Sequence, residues 1–418
     1  MTPSLPATLA YERIVVVGAG RAGFSAAERL RAIGFTGELI ILGAEPHRPY
    51  NRTHLSKGLL AGTRSARDLP LRAHTRLNAR WRTGSAAAAL DVPGRRVLMD
   101  DGRDVWFDRL VIATGTRAAH LPGAPMHSPH VWALRTIQDA YAIDRAMARA
   151  RRVAVIGGGF IGSEIASTAR ERGLAVTLID RSPVLLRRSL GNALGAAAGD
   201  LHRKAGVRLH LGVAVAGWTE TPRGVVLDLE DGETVEADLA VVGVGTEPDT
   251  GWLEGSGLDT ANGVLCDEAC RALDLNGRPV EGIVAAGDIA RWPNLRFDAT
   301  PRRIEHWINA IEMGQAAADT LTTDPGTQAP YTPVPRFWSH QHGTRIQSAG
   351  MPQLGEHMHI LEGSLDANRF LAGFTAPDGH LAGLIAFNAP RSLLAHHASI
   401  GFPVRQSMTG ALQTTGGP

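Results

Sequence analysis

The sequence is short of cysteine, with only Cys266 and Cys270 in 418 residues. Two thiols at that spacing make neither a disulfide framework nor a C-x-x-C pair, and a reducing cytosol is their natural setting. A dominant charge is also missing. Lys and Arg number 43 against 41 Asp and Glu, a formal net charge of +2. No global field therefore favours nucleic acid, although room remains for a local basic face toward an acidic partner. No stretch reaches about 18 uninterrupted apolar residues. The N-terminus lacks a basic region followed by a long apolar core. These absences exclude a membrane span and a signal peptide and predict a cytoplasmic protein. At about 100–200 residues per domain, the length predicts two to four domains.

What is present is organised around Arg13 to Gly23. Ile14 to Val17 form a short β-branched run, typical of a parallel strand covered on both faces. Gly18, Gly20 and Gly23 follow as G-x-G-x-x-G. The first glycine permits the tight turn, the second lets backbone approach a pyrophosphate, and the third lets a helix pack on the strand. A helix is expected from Phe24 to Ile33, with its N-terminal N–H groups and positive dipole end toward the phosphates. A strand from Glu38 to Leu42 then precedes Glu45, placed to reach a ribose hydroxyl. The same unit recurs. Val153 to Ile156 run into Gly157, Gly159 and Gly162, a helix is expected from Ser163 to Arg172, and the strand Ala175 to Ile179 ends before Asp180. Two such units imply two dinucleotides. An acid in the place of Asp180 favours NADH, because it repels the 2′-phosphate of NADPH. Arg181 complicates that preference, while Arg187 and Arg188 read as solvated surface.

Between these units, Pro46 to Lys57 reads as a loop at the carboxyl end of the sheet, with Arg52 and Lys57 as candidate ligand contacts. Ala86 to Leu90 and Arg96 to Met99 suggest a hairpin-like insert. Phe107 to Gly115 reads as a buried strand ending in small residues. Further strands are expected at Val207 to Leu211, Gly224 to Leu229 and Asp238 to Val244. Glu281 to Asp288 reads as a strand ending in Gly-Asp. Its carboxylate can accept hydrogen bonds from the sugar-like chain of a flavin, or cap the element that follows. Arg302 to Leu321, containing Glu305, His306 and Trp307, reads as a long helix. Beyond a loop from Thr322 to Pro335, antiparallel strands (Phe337 to Gly350, Leu371 to Phe374, Leu381 to Phe387) precede a helix near Arg391 to Ile400.

Together these segments resemble the FAD-dependent, NADH-using ferredoxin reductases of bacterial oxygenase systems, the putidaredoxin reductase and Rieske dioxygenase reductase family. The resemblance covers nearly all of the chain. It is carried by the two glycine motifs with Ile161 and Glu164, Leu55-Ser-Lys57, Ala113-Thr-Gly115, and Leu134-Arg-Thr136. It continues through Gly243-Val-Gly245 with Pro248, Gly287-Asp288, Arg303 to Trp307 with Asn309-Ala310, and Phe337-Trp-Ser339. It implies an α/β fold of two Rossmann-like dinucleotide-binding domains, glutathione-reductase-like, plus a C-terminal α+β domain. The implied division is FAD binding over 1–120 and 245–325, NAD binding over 121–244, and a C-terminal domain over 326–418.

The same resemblance implies that Ala22, Glu45, Lys57, Ala87, Arg135, Asp288 and Trp307 touch FAD, with Arg52, Ala113, Arg117 and Glu305 in the same set. Lys57 would lie by the flavin N5 edge and pair with Glu164, and Trp338 would lie near the flavin and the ferredoxin-facing surface. An acidic [2Fe–2S] ferredoxin would meet arginines such as Arg302, Arg303 and Arg345. No metal site in the chain is implied. Departures from the family pattern are Thr53-His54 for Pro-Pro, Ala44 for a second acid, and Asp249 for Asn. His340 stands in place of an acid, with His342 close by. The two histidines are read as exposed and without effect, the alternative being a change in partner charge or pH dependence. Two rivals are weighed. A disulfide or peroxide reductase would need a cysteine in the loop from Asn51 to Lys57, which has none. An apoptosis-inducing-factor-like binding protein would carry a long C-terminal insertion, absent from this compact tail.

Overall fold

The computed structural model describes residues 12–324 and 326–403; the reading of the extreme N-terminus lies outside them. The chain divides into two compact units.

Of the described residues, the first unit takes in 12–51, 70–117, 247–324 and 326–335. Its sheet runs in the order Arg271–Leu273, Pro279–Ala285, Arg109–Ile112, Arg13–Val17, Glu38–Gly43, Arg80–Thr83. All neighbours are parallel except the first pair. Ile14, Val15 and Val16 are fully buried, as expected of a central strand with both faces covered. Val17 pairs with Leu42 on one side and Ile112 on the other, so three strands end level. The chain leaves the central strand toward one neighbour and returns on the other. That places a crevice at the carboxyl ends, where ligands bind in open α/β sheets.

Helix Arg21–Ala32 starts directly after Gly20, three residues earlier than expected, so Gly23 lies inside its first turn. The expected hairpin is a three-stranded insert of Ala87–Asp91, Arg96–Met99 and Asp104–Trp106. Strand Arg80–Thr83 was not expected; at the sheet edge its residues are half-exposed or exposed, which leaves no apolar run to read. The long helix covers Trp307–Thr322 and not Arg302 onward. Pro301–Arg302 instead pairs with a strand, Ala290–Pro293, and His306 caps the helix in extended conformation.

Of the described residues, the second unit takes in 52–69, 118–246 and 336–403. Its parallel sheet repeats the first in the order Arg208–Leu211, Ala175–Asp180, Arg152–Ile156, Leu239–Val242, Val131–Ala133. A meander of Val215–Thr221, Gly224–Leu229 and Thr234–Ala237 lies beyond it. The tail forms a five-stranded antiparallel sheet, Arg336–Gln341, Thr344–Gly350, Leu381–Phe387, Arg369–Thr375, His357–Ser364, followed by helix Pro390–His396.

Helix Phe160–Glu171 begins three residues before the expected start. Two helices were not anticipated. Ile137–Met147 carries a capping box between Thr136 and Asp139, a signal that was open to reading. Arg187–Lys204 is broken by a kink at Gly191, at φ +71°, and its longer part contains Gly195 and Gly199, which dilute helical propensity. Within the segment expected to be loop, Arg52–His54 and Leu55–Leu59 form single helical turns, the second of π type. Among the described residues no helix is long and apolar enough to cross a membrane.

Candidate functional site

Each sheet ends in a glycine loop built in the same way. Gly18 has φ +116°, and a Cβ there would lie 2.1 Å from the Ala113 carbonyl oxygen. Gly157 has φ +106°, and its Cβ would lie 2.3 Å from the Gly243 oxygen. Both must be glycine so that the loop can pass against the neighbouring strand. Gly23 and Gly162 would drive a Cβ into the Gly18 and Gly157 carbonyls at 2.0 and 1.9 Å, which fixes how closely each helix packs on its loop. Gly20 and Gly159 differ. A Cβ on either meets nothing within 4 Å, so these two face open space at the helix N-termini. No side chain caps either helix, and neither first turn holds an acid. An uncapped N-terminus beside open space fits a pyrophosphate, whose charge the N–H groups and dipole favour.

In the first unit Glu45, Ala113 and Asp288 follow strands of the same sheet, while Trp307 and Ala87 lie on other elements. Glu45 follows strand Glu38–Gly43, and its carboxylate accepts a 2.6 Å bond from the Tyr50 hydroxyl. Ala113 supplies the carbonyl against Gly18. Asp288 follows strand Pro279–Ala285 in a short helical turn, beside Gly287 at φ +79°. A Cβ on Gly287 would lie 2.7 Å from the Ala22 Cβ, which brings that turn against the first turn of helix Arg21–Ala32. Trp307 opens its helix, and its ring lies 5.8 Å from the Arg21 guanidinium carbon. Ala87 is half-buried in the insert.

Exposed Arg117 donates to Glu247 at 2.8 Å, and Arg303 donates to exposed Glu305 at 2.7 Å and to the Asp288 carbonyl at 3.2 Å. Arg302 is ion-paired with Asp298. Asp249 meets Thr114 and Gly115 through its own backbone, so the Asn-to-Asp departure leaves those bonds intact. Sequence reading missed Arg21, a half-buried arginine placed directly after Gly20. Burial lowers its pKa, partly opposed by Glu28.

In the second unit Asp180 binds the glycine loop itself. Its Oδ2 accepts the Gly158 N–H and its Oδ1 accepts the Ser182 N–H at 2.6 Å. Ile161 lies in the first turn of the following helix, and Gly245, at φ +121°, faces open space. Arg181, Arg187 and Arg188 are exposed. Arg52 donates to the Arg135 carbonyl at 3.1 Å.

Two residues beyond Gly162, the buried Glu164 is the centre of a polar cluster. Lys57 Nζ donates to Oε1 at 2.7 Å, Ser56 Oγ to Oε2 at 2.5 Å, and Ser339 Oγ to Oε1 at 2.6 Å. Thr168 Oγ1, on the same helix face, donates to the Ser56 carbonyl at 2.9 Å. A buried carboxylate is costly unless paired and hydrogen-bonded. Here three donors meet that need. Trp338 is half-buried in the adjoining strand, and Phe337 packs on Phe160 with ring centroids 4.5 Å apart. His340 is exposed, as expected. His342 is not: its ring meets buried His202, and its backbone N–H donates to Ser167 Oγ at 2.8 Å. The reading of His342 as an exposed residue is therefore corrected.

Burial, then the neighbouring His342, pushes the His202 imidazole down to about 4. The folded chain thus keeps His202 neutral where the unfolded chain takes a proton, near 6.5. Stability is highest above pH 6.5 and falls as pH drops toward 4, by up to about 3 kcal/mol from this residue. Urea midpoints measured across that window should fall with pH, and His202→Gln should flatten the slope. An identical slope in the variant would assign the effect to other groups.

Cys266 and Cys270 are fully buried in the core of the first unit, where burial raises both thiols far above their ordinary range. Neither is an accessible thiolate.

Two glycine loops, each with an open face at a helix N-terminus, define a protein that handles two dinucleotides. The chain belongs to the pyridine nucleotide-disulphide oxidoreductase family, whose model matches residues 12–314, and a reductase C-terminal model matches residues 336–405. It is 37% identical, over 90% of each chain, to the ferredoxin reductase component of chlorobenzene dioxygenase from Cupriavidus sp. (strain PS12). It is 34% identical to putidaredoxin reductase of Pseudomonas putida, over 89% of this chain and 88% of that one. Among solved structures, putidaredoxin reductase in its covalent complex with putidaredoxin superposes with a TM-score of 0.88 at 30% identity, covering 96% of each chain.

Proposed function

We propose that this chain is an NADH-dependent ferredoxin reductase, which passes electrons through FAD to a [2Fe–2S] ferredoxin serving a P450 or Rieske-type oxygenase. The observation that carries the reading is the Lys57–Glu164 pair in the segment where a disulfide reductase needs cysteine. The two glycine loops support two nucleotide sites. FAD, when bound, supplies the conversion of one hydride from NADH into two single electrons.

The residues of this chain have simpler tasks. Gly18, Gly20, Ala22 and Gly23, with the helix they open, hold the FAD pyrophosphate, and Glu45 holds the adenosine ribose. Ala87, Ala113, Arg117, Asp288, Glu305 and Trp307 complete the contacts of the first unit. Gly157, Gly159, Ile161, Gly162 and Gly245 receive NADH. In the second unit Arg52, Arg135 and Trp338 serve the flavin, and Lys57 presents a positive charge that Glu164 orients. The protein works in the cytoplasm, where thiols stay reduced, and its ferredoxin is acidic. Arg345, exposed on the tail sheet, is the candidate arginine left open to such a partner, since Arg302 and Arg303 are ion-paired.

Ferredoxin-dependent reduction of cytochrome c by NADH tests the reading. A rate that rises with added [2Fe–2S] ferredoxin supports it, and a rate indifferent to ferredoxin contradicts it.

The coenzyme preference rests on Asp180. Alanine there would also strand the Gly158 and Ser182 N–H groups. Asp180→Asn removes the charge and keeps one of the two acceptor oxygens, so it disturbs the loop less than alanine does, and the ratio of the two coenzymes reads the repulsion of the 2′-phosphate. The ratio of kcat/KM for NADH over NADPH should fall about tenfold, the value of ~1.4 kcal/mol of charge repulsion. An unchanged ratio would place the discrimination outside this carboxylate.

A further inference from the structure

The polar cluster at Glu164 continues through the interior of the second unit. Ser339 Oγ accepts from Gln341 Nε2 at 3.1 Å, Gln341 Oε1 lies 3.1 Å from His202 Nε2, and His202 Nδ1 lies 3.0 Å from His342 Nε2. Ser339, Gln341 and His202 are buried. The direction of every bond follows from the charge on Glu164. An ionised carboxylate only accepts, so the Ser339 hydroxyl proton is committed to it. Ser339 must then accept from the Gln341 amide group, which turns the Gln341 carbonyl toward His202. That carbonyl requires a proton on His202 Nε2. A neutral His202 then has a bare Nδ1, which requires a proton on His342 Nε2. Four groups thus donate in one direction toward Glu164, and such chains polarise one another cooperatively.

We propose that Gln341, His202 and His342 are positioning residues for the Lys57–Glu164 pair: a one-way chain of donors that holds Glu164 ionised and fixed against Lys57, and that reverses if Glu164 takes a proton. In the reversed state Glu164 donates to Ser339, the Gln341 amide flips, and both imidazoles carry their proton on the opposite nitrogen. The surroundings keep both rings neutral. Burial lowers His342, and Arg170 lowers it further; burial lowers His202, with His342 adding to the effect and Gln341 opposing it. The ionisable groups facing Glu164 among the described residues include Lys57 and His340, which burial, Lys57 and Arg345 lower and Glu164 raises. The chain has a mechanical anchor as well. His342 occupies a left-handed turn at φ 48°, and its N–H is held by Ser167, on the same helix as Glu164.

The effect on rate rests on the function proposed above; the direction of the chain does not. Long-range proton–nitrogen NMR of the ¹⁵N-histidine-labelled holoenzyme at pH 7 should find His202 and His342 neutral and both in the Nε2–H form. Either ring charged, or in the Nδ1–H form, would overturn the proposal without any variant. His202→Leu should retain FAD but slow its bleaching by NADH about fivefold, the worth of about one hydrogen bond. The acid limb of that rate should move up by about one pH unit, because a carboxylate that loses supporting donors binds its proton more tightly. His202→Gln, which keeps a donor for Gln341, should restore the rate to within about twofold. Gln341→Met should reproduce the His202→Leu effect, and it supplies the comparison if that variant does not fold. Wild-type rate and pH profile in the folded variants would overturn the proposal. Failure of NADH to bleach the wild-type protein would instead contradict the proposed function, leaving the tautomer result to stand on its own.

Discussion

Lys57→Met should slow reduction of the bound flavin by NADH and lower its reduction potential, while FAD remains bound. Methionine keeps much of the volume and removes the charge. A reduced flavin that carries negative charge loses a nearby cation, whereas the neutral oxidised form loses much less. One charge–charge interaction at a partly buried position is worth on the order of 1–4 kcal/mol, or roughly 5- to 1,000-fold in rate. The Lys57 side chain is 20% exposed and that of Glu164 only 6%, which places the pair toward the buried end of that range. The same substitution leaves the Glu164 charge with only the hydroxyls of Ser56 and Ser339. Removing one partner of a buried pair typically costs about 3–5 kcal/mol, so the variant should also unfold at lower urea. Glu164→Gln weakens the same pair from the other side. The double variant should therefore be less impaired than the two single effects added together. An unchanged potential and an unchanged bleaching rate in Lys57→Met would reduce this lysine to a structural partner of Glu164.

Gly18→Ala should have the other large effect, and of a different kind. Its new Cβ would meet backbone at 2.1 Å, at a φ that L-residues rarely adopt. The neighbour is the main chain of a central strand, which cannot move aside, so folding and FAD content fall together. Left-handed strain alone costs about 1–2 kcal/mol, and the overlap adds to it. Gly20→Ala provides the contrast. Its Cβ enters open space, so the fold should keep its urea midpoint, but the methyl group takes up room for the pyrophosphate. Purified Gly20→Ala should therefore be folded and poor in FAD. Equal loss of FAD and equal destabilisation in the two variants would show that the two glycines do the same job.

These two predictions also mark what was legible in the sequence and what was not. The glycine loops could be read because the strand, turn and helix that need them lie within about 15 residues, and each glycine answers a local steric demand. The helix starts were placed late because Arg21 and Phe160 lie inside or beside glycine motifs that read as loop. The strand Arg80–Thr83 stayed hidden because an edge strand has no apolar period to display. The ion pair was expected only through the family resemblance, since Lys57 and Glu164 are 107 residues apart. Ser339 and Gln341 reach Glu164 and His202 across 175 and 139 residues, beyond any periodicity. His342 looked like an exposed turn residue because its backbone is one; the partner that takes its ring, His202, lies 140 residues away in the chain.

Electrons should leave NADH as a pair and leave the protein singly, to a ferredoxin. An anaerobic titration of the purified holoprotein tests this most directly. One FAD per chain, released on acid precipitation, and full bleaching by one equivalent of NADH are expected. Colour should return on addition of two equivalents of oxidised [2Fe–2S] ferredoxin. Flavin that is bleached by NADH but recovers its colour with a disulfide or peroxide, and not with ferredoxin, would contradict it.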